Sequence, residues 1–248
     1  MKKKTKKILK NLGIKVEKAC IANDPQFHLH PSYDMLIWDL IRRVSDPLIV
    51  VIGANDGLRS DPLFSWIQEY DLRAILVEPL PDVFSRLIEN YKSLSKVTFE
   101  NYCVSKEIGN VAFFRLKENY SSYACAELNR KNFDDRISSL SVNHIMKHVG
   151  YSGDWRDIIE KVLVPSITFE ELLDKHKLDK VDILQIDAEG YDLEILKMID
   201  FQVICPNVIC FEHINLHGRD YSQALSLITE WGYKWTQDGY NVIAQKSF

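Results

Sequence analysis

The sequence has no C-x-x-C pair, no Gly-Lys-Ser/Thr phosphate loop, no long apolar run and no Pro/Gly/Ser-rich linker. Each absence excludes something. The cysteines are five (Cys20, Cys103, Cys125, Cys205 and Cys210), an odd number. Three lie in apolar stretches, so buried free thiols in a reducing compartment are expected rather than a disulfide framework or a zinc ribbon. Without an apolar run there is neither the core of a signal peptide nor a membrane span, and a cytoplasmic location is the expectation. Without linkers, repeats or low-complexity tracts the chain reads as one domain carrying an insertion. Basic charge is not in excess either. The formal net charge of −4 argues against general nucleic-acid affinity, which needs a broad basic face.

What is present fits one full-sized core, at 248 residues and 46% hydrophobic. Six lysines fall in the first ten residues, at positions 2, 3, 4, 6, 7 and 10. A solvated terminus is the plainer reading. A basic amphipathic helix lying on an anionic membrane or on nucleic acid is the other. Residues 32–45 have mostly helical spacing and should cover one edge of a sheet. Strands are predicted at 48–52, 73–77, near 97–104 and at 110–116, with helices near 60–70 and at 81–93. Thr168 with Glu171 three residues on predicts a capped helix over 168–176. Strand 181–187, helix 191–199, strand 207–212 and a helix at 220–231 follow. Strands 233–237 and 241–246 close the chain, with Asp238-Gly239 as the hairpin signal between them. Alternating strands and helices imply a mostly parallel sheet with helices on both faces. The closing hairpin adds an antiparallel strand, a mark of the methyltransferase variant of Rossmann-like folds. The predicted organisation is therefore a basic arm and edge helix over 1–46, then one domain over 47–248. Within it, the polar, aromatic stretch 119–162 breaks the alternation and is expected to form a substrate-covering lid, with a helix near 136–148.

The chemistry gathers at three strand ends. Leu184-Gln-Ile-Asp187-Ala-Glu189-Gly190 stops an apolar strand on two acids and a glycine. Pro47-Leu-Ile-Val-Val-Ile52 runs into Gly53-Ala54-Asn55-Asp56-Gly57, and Arg73-Ala-Ile-Leu-Val77 ends on Glu78-Pro79. Carboxyl ends of parallel strands are where open α/β sheets bind ligands. The glycine loop lets backbone N–H groups approach a polar ligand, although it misses the G-x-G-x-x-G dinucleotide fingerprint. Glu78, about twenty residues on, can accept from both hydroxyls of a ribose. Its plainer reading is a helix N-terminal acid.

Together these elements resemble the FkbM family of S-adenosylmethionine-dependent methyltransferases. The I-D-x-E-G-x-(D/E) element at Ile186–Asp192 is the most distinctive part, and the likeness spans roughly residues 47 to 246. The resemblance implies a Rossmann-like class I methyltransferase fold with a seven-stranded sheet. It also implies methyl transfer from S-adenosylmethionine to a hydroxyl of a sugar- or polyketide-like small molecule. By position it assigns Gly53, Ala54, Asn55, Asp56 and Gly57 to the methionine part, Glu78 and Pro79 to the ribose, and Asn101 to Cys103 to the adenine edge. Asp187 would face the methionine amino group or the acceptor. Val51 departs from the pattern, standing where the family commonly has an acid; either Asp56 compensates or cofactor binding is weaker than usual.

For the chemical step, Asp187, Glu189, Glu212 and His213 are expected to converge. A metal-free acid/base set is favoured over a divalent-metal site, with His213 as base and Glu189 the alternative. Tyr120, Ser122, Arg136 and Glu212 are the expected acceptor contacts. His144 and His148 have zinc-pair spacing, but Ile145 stands where a zincin's glutamate would be. They are read as surface histidines on the lid. The competing functional readings are a nucleic-acid or protein methyltransferase docking through the basic arm, and a non-catalytic cofactor-binding protein of the same fold.

Overall fold

Leu48-Ile-Val-Val-Ile52 has no polar side to turn toward water, so as a strand it needs cover on both faces. In the computed structural model it is buried along its whole length. The structure describes residues 33–58, 61–117, 120, 137–151 and 153–246. The lysine-rich arm, Ser122 and Arg136 lie outside them. Among the described residues no helix is long and apolar enough to cross a membrane.

Helix α1 (Tyr33–Arg43) buries Tyr33, Leu36, Ile37 and Leu40, the expected helical stripe. It belongs to a unit of residues 1–45, and residues 46–248 form a second unit. The second unit starts with β1 (Leu48–Ile52), α2 (Phe64–Tyr70), β2 (Arg73–Val77), α3 (Pro81–Tyr91) and β3 (Val97–Glu100). Short strands β4 (Cys103–Val104) and β6 (Ser138–Ser139) flank β5 (Gly109–Leu116) in the chain. Then come α4 (Val142–Val149), α5 (Trp155–Ile158), β7 (Ile159–Ile167) and α6 (Phe169–Lys175). The unit ends with β8 (Ile183–Ile186), α7 (Asp192–Met198), β9 (Val208–Glu212), α8 (Arg219–Glu230), β10 (Tyr233–Asp238) and β11 (Asn241–Lys246).

Seven strands make the main sheet in the order β10-β11-β9-β8-β1-β2-β3. β1, β2, β3, β8 and β9 pair in parallel, and β11 runs antiparallel to both β9 and β10. This is the order and hairpin expected of a Rossmann-like class I methyltransferase fold. Leu48, Val50 and Ile52 share one core with Phe169, Leu172, Leu196 and Ile228 from three helices. Ile49 and Val51, on the other face of β1, are buried just as fully. The capping box at α6 is complete, with both Thr168 and Glu171 bonded.

Three expectations need correction. The stretch 97–104 is not one strand: β3 ends at Glu100, and β4 joins a separate four-stranded sheet, β4-β7-β5-β6. Asn101 makes the break, its amide donating to the backbone oxygens of Glu78 (2.7 Å) and Pro79 (3.0 Å). The interval 119–162 is likewise not wholly lid. Its last residues start β7, which pairs antiparallel with β5 from Gly109↔Ser166 to Leu116↔Ile159. The helix expected near 136–148 begins later, at Val142, where Ser141 caps it by accepting from His144 N.

The sheet order reverses between β1 and β8. From β1 the chain builds outward through β2 and β3, then returns to β1's other side. Such a switch point leaves a crevice at the strand ends. Gly53, with φ +82°, sits there against β8's exit, and a Cβ on it would fall 1.8 Å from the Asp187 carbonyl oxygen. Gly53→Ala should therefore destabilise the protein by more than about 2 kcal/mol, adding left-handed backbone strain to a backbone clash. Thr168→Ala, which loses only a cap, should cost about 1 kcal/mol. Urea unfolding with an unchanged slope measures both.

Candidate functional site

The β1 exit is a tight turn. Gly53 N and Ala54 N both donate to Val77 O, and Gly57 N donates to Ala54 O. Asn55 has φ +47°, left-handed backbone that asparagine tolerates better than most residues. Its N–H donates to Glu78 Oε2 at 3.0 Å, while Leu80 N donates to Oε1 at 2.9 Å. Each Glu78 oxygen thus carries one backbone bond and keeps a second lone pair. Glu78 does not cap α3, which has no side-chain cap and carries Asp82 as its first-turn acid, so the helix-terminal reading fits Asp82 better. Burial drives its pKa up to about 7, against the lowering effect of those two bonds.

A cleft opens at this switch point. From the glycine turn and the β2 exit it takes Gly53, Asn55, Glu78 and Pro79. From the β8 exit it takes Asp187, Ala188 and Glu189. Tyr102, Cys103, Phe113 and Leu140 supply an apolar wall. Ala54, Asp56, Gly57 and Asn101 support it without lining it. Asp56 accepts from Leu58 N and donates its own N–H to Asn55 Oδ1. Gly57 sits where a Cβ would meet the Tyr91 ring at 2.3 Å. The free space is about 70 Å³, against ~300–1,000 Å³ for clefts holding a whole small ligand. Admitting a nucleoside means parting these walls.

A second, wider cleft of about 500 Å³ adjoins the first and shares Leu140, Glu189 and Tyr191 with it. Asn143, His144, His148, Asn215 and His217 give it a hydrogen-bonding lining. Glu189, at the junction, has φ +46°, an uncommon backbone for a glutamate. Its carbonyl accepts from Ser139 Oγ at 2.9 Å. Its Oε2 lies 3.0 Å from His144 Nε2 and accepts from Asn215 Nδ2 at 3.3 Å. The Asn215 amide also bonds Glu212. Beneath them Asp192 is fully buried and accepts from Glu212 N and Gly190 N. Acids crowd here. Asp187 opens into the cleft but is otherwise enclosed by protein, and desolvation with Glu189 and Asp61 nearby pushes it up to about 7. Burial and the charges of Asp187 and Glu189 push Glu212 up to about 9.

The expected catalytic set does not assemble as read from the sequence. Asp187, Glu189 and Glu212 come together, but His213 does not join them. Successive side chains on a strand point to opposite faces, and His213 follows Glu212 at the end of β9. Its imidazole faces Gly239 O of the closing hairpin at 3.3 Å and leans on the Tyr221 ring. Tyr120 is also away from the clefts, packed with Tyr151 against a small core that contains Leu116 and Ile145. His144, read as a surface histidine, is instead three-quarters enclosed or more and meets Glu189; its side chain is 12% exposed. Sequence offered only the His144–His148 spacing as a signal, and nothing for Asn215 or Asp61.

A profile of the "Methyltransferase FkbM domain" matches residues 52–235. The chain belongs to the FkbM methyltransferase family. The cofactor of this FkbM protein is S-adenosylmethionine, and the donor set of the inner cleft fits it: paired acceptors for a diol, an apolar wall for a base, and acids for a cation. No curated protein sequence matches the chain. Among solved structures it is similar to an FkbM methyltransferase from Methylobacillus flagellatus KT (11% identity, TM-score 0.47), covering 81% of this chain and 43% of that one. It is also similar to precorrin-6y C5,15-methyltransferase from Geobacter metallireducens GS-15 (14%, TM-score 0.43, 91% and 94% covered). A third is Aeropyrum pernix fibrillarin, crystallised with natively bound S-adenosyl-L-methionine (12%, TM-score 0.38, 80% and 65% covered).

With the ribose of a bound cofactor on Glu78, cofactor affinity would depend on pH. An ionised Glu78 accepts two hydroxyl hydrogens, whereas a protonated one spends an oxygen on its own proton. Affinity for S-adenosylmethionine should rise as pH climbs through about 7, and Glu78→Gln should flatten the rise, both read by calorimetry. Stability runs the other way. The folded state keeps a proton that the unfolded chain releases near 4.5, so this group's contribution is full below pH 4.5 and is lost as pH rises through about 7.

Proposed function

We propose that this FkbM protein is an O-methyltransferase acting on a hydroxyl of a sugar- or polyketide-like small molecule. In this reading the cofactor occupies the inner cleft and the acceptor the outer one. The observation that carries it is the shared wall: two clefts of different character meet at Glu189. The inner cleft pairs an apolar wall with carboxyl groups, which suits a nucleoside bearing positive charge. The outer cleft offers amide, imidazole and hydroxyl groups, which suits an acceptor rich in hydroxyls.

Bound there, S-adenosylmethionine supplies a methyl group on a sulfonium, so that the acceptor's oxygen–carbon bond forms as the carbon–sulfur bond breaks. The protein's share is to orient the acceptor and to take its proton. Glu189 replaces His213 as the base in this account. Its Oε2 is held by His144 and Asn215, which leaves Oε1 for the acceptor's hydroxyl. Asp187, electrostatically coupled to Asp61, takes the cofactor's ammonium and covers for the acid that Val51 lacks. Glu78 holds the ribose.

Positioning and proton transfer should separate in mutants. Glu189→Gln should keep S-adenosylmethionine affinity and lose roughly 100- to 10,000-fold in turnover, the usual worth of a general base. His213→Ala should turn over at close to the wild-type rate. Release of S-adenosylhomocysteine across a panel of polyhydroxylated acceptors reads both. A fast Glu189→Gln enzyme, or a dead but folded His213→Ala enzyme, would return the base to His213.

A further inference from the structure

Two histidines one helical turn apart and a carboxylate face one another in the outer cleft. His144 and His148 project from the same side of α4, their ring centroids 4.7 Å apart. Glu189 reaches them from the β8 exit. One ligand atom from each of the three lies within 4.8 Å of the others, the one such group among the described residues. We propose that His144, His148 and Glu189 bind a divalent transition-metal ion of the zinc class at the mouth of the acceptor cleft.

Ligand type decides the class. Two imidazoles with one carboxylate suit zinc, iron, cobalt or nickel, whereas magnesium and calcium take oxygen shells. Bonds of ~2 Å to a tetrahedral ion put ligand atoms about 3–3.5 Å apart. His144 Nε2 and Glu189 Oε2, at 3.0 Å, already meet that spacing. The hydrogen bond between them occupies the place of the ion, and exposed His148 brings a ring nitrogen within 4.8 Å of both.

The surroundings are arranged as outer-shell support. Asn215 Nδ2 and Ser139 Oγ fix Glu189 by its side chain and its backbone. Gly190 leaves room for the imidazole, since a Cβ there would stand 3.1 Å from His144 Nδ1. Three protein ligands would leave a tetrahedral ion one open position, and all three line the outer cleft. An acceptor oxygen bound there is held and made more acidic, while the second Glu189 oxygen remains for its proton. The inference deepens the reading of the outer cleft as the acceptor site, but its test needs neither acceptor nor turnover.

Tag-free protein stripped with a chelator is titrated with Zn²⁺ alone, against a chromophoric competitor, and with Co²⁺ by visible absorption. One equivalent of zinc should bind, and cobalt should give the intense bands of a four-coordinate site. Losing an outer-shell partner costs 10–100-fold in metal affinity, so loss of a direct ligand in His148→Ala should cost more than about 100-fold. His148 is solvent-exposed, so that variant should fold, with S-adenosylmethionine affinity unchanged. No stoichiometric zinc uptake by the wild type, or equal uptake by wild type and His148→Ala, overturns the metal site. Either result leaves the methyl-transfer reading intact. That reading fails separately, if S-adenosylhomocysteine is not released with any polyhydroxylated acceptor.

Discussion

Everything in the site hangs on the close approach of two backbones at the sheet's switch point. The β1 exit at Gly53 lies on the Asp187 carbonyl at the β8 exit, closer than any side chain would permit. That contact brings the glycine turn, Glu78 and the Asp187–Glu189 segment to one edge. Uncommon left-handed backbone stands two residues beyond it on each side, at Asn55 and Glu189. Strain of this kind persists only where surrounding bonds fix it. Here the fixing bonds are Asn55 N to Glu78 on one side and Ser139 Oγ to Glu189 O on the other.

The carboxyl groups then set the character of the two clefts. Asp61, Asp187, Asp192 and Glu212 are all pushed toward their neutral forms, chiefly by burial and further by neighbouring acids, among them Asp56 and Glu189. Such a cluster is costly without a cation to face it. A sulfonium cofactor in the inner cleft and a metal ion in the outer one would relieve the same repulsion from two directions. Glu189 is the residue that faces both.

How much of this was legible depended on distance along the chain. The three strand ends could be read because each couples an apolar run to polar residues immediately after it, and the main sheet followed from that alternation. The capping box at Thr168 is equally local. The second sheet was not legible. β5 and β7 pair across more than forty intervening residues, too far for any one turn signal to register them, and Pro165 argues against a central strand. The pairing tolerates Pro165 because β4 reaches only Ser166 and Ile167, so no hydrogen bond on that side is lost. His213 was misplaced for a different reason. Reading Glu212-His213 as a pair overlooks that adjacent strand residues face opposite ways. His144 was visible as one of a spaced pair, but its partner Glu189 lies in another element, where periodicity gives no guide.

The central claim is that one continuous crevice at the β1–β8 switch point holds cofactor and acceptor on either side of Glu189. A crystal structure of the protein with S-adenosylhomocysteine tests it most directly. The ribose hydroxyls should lie on Glu78, the base against Tyr102 and Phe113, and the sulfur should be directed toward Glu189. A nucleoside seated elsewhere, or with its sulfur turned away from Glu189 and the outer cleft, would contradict it.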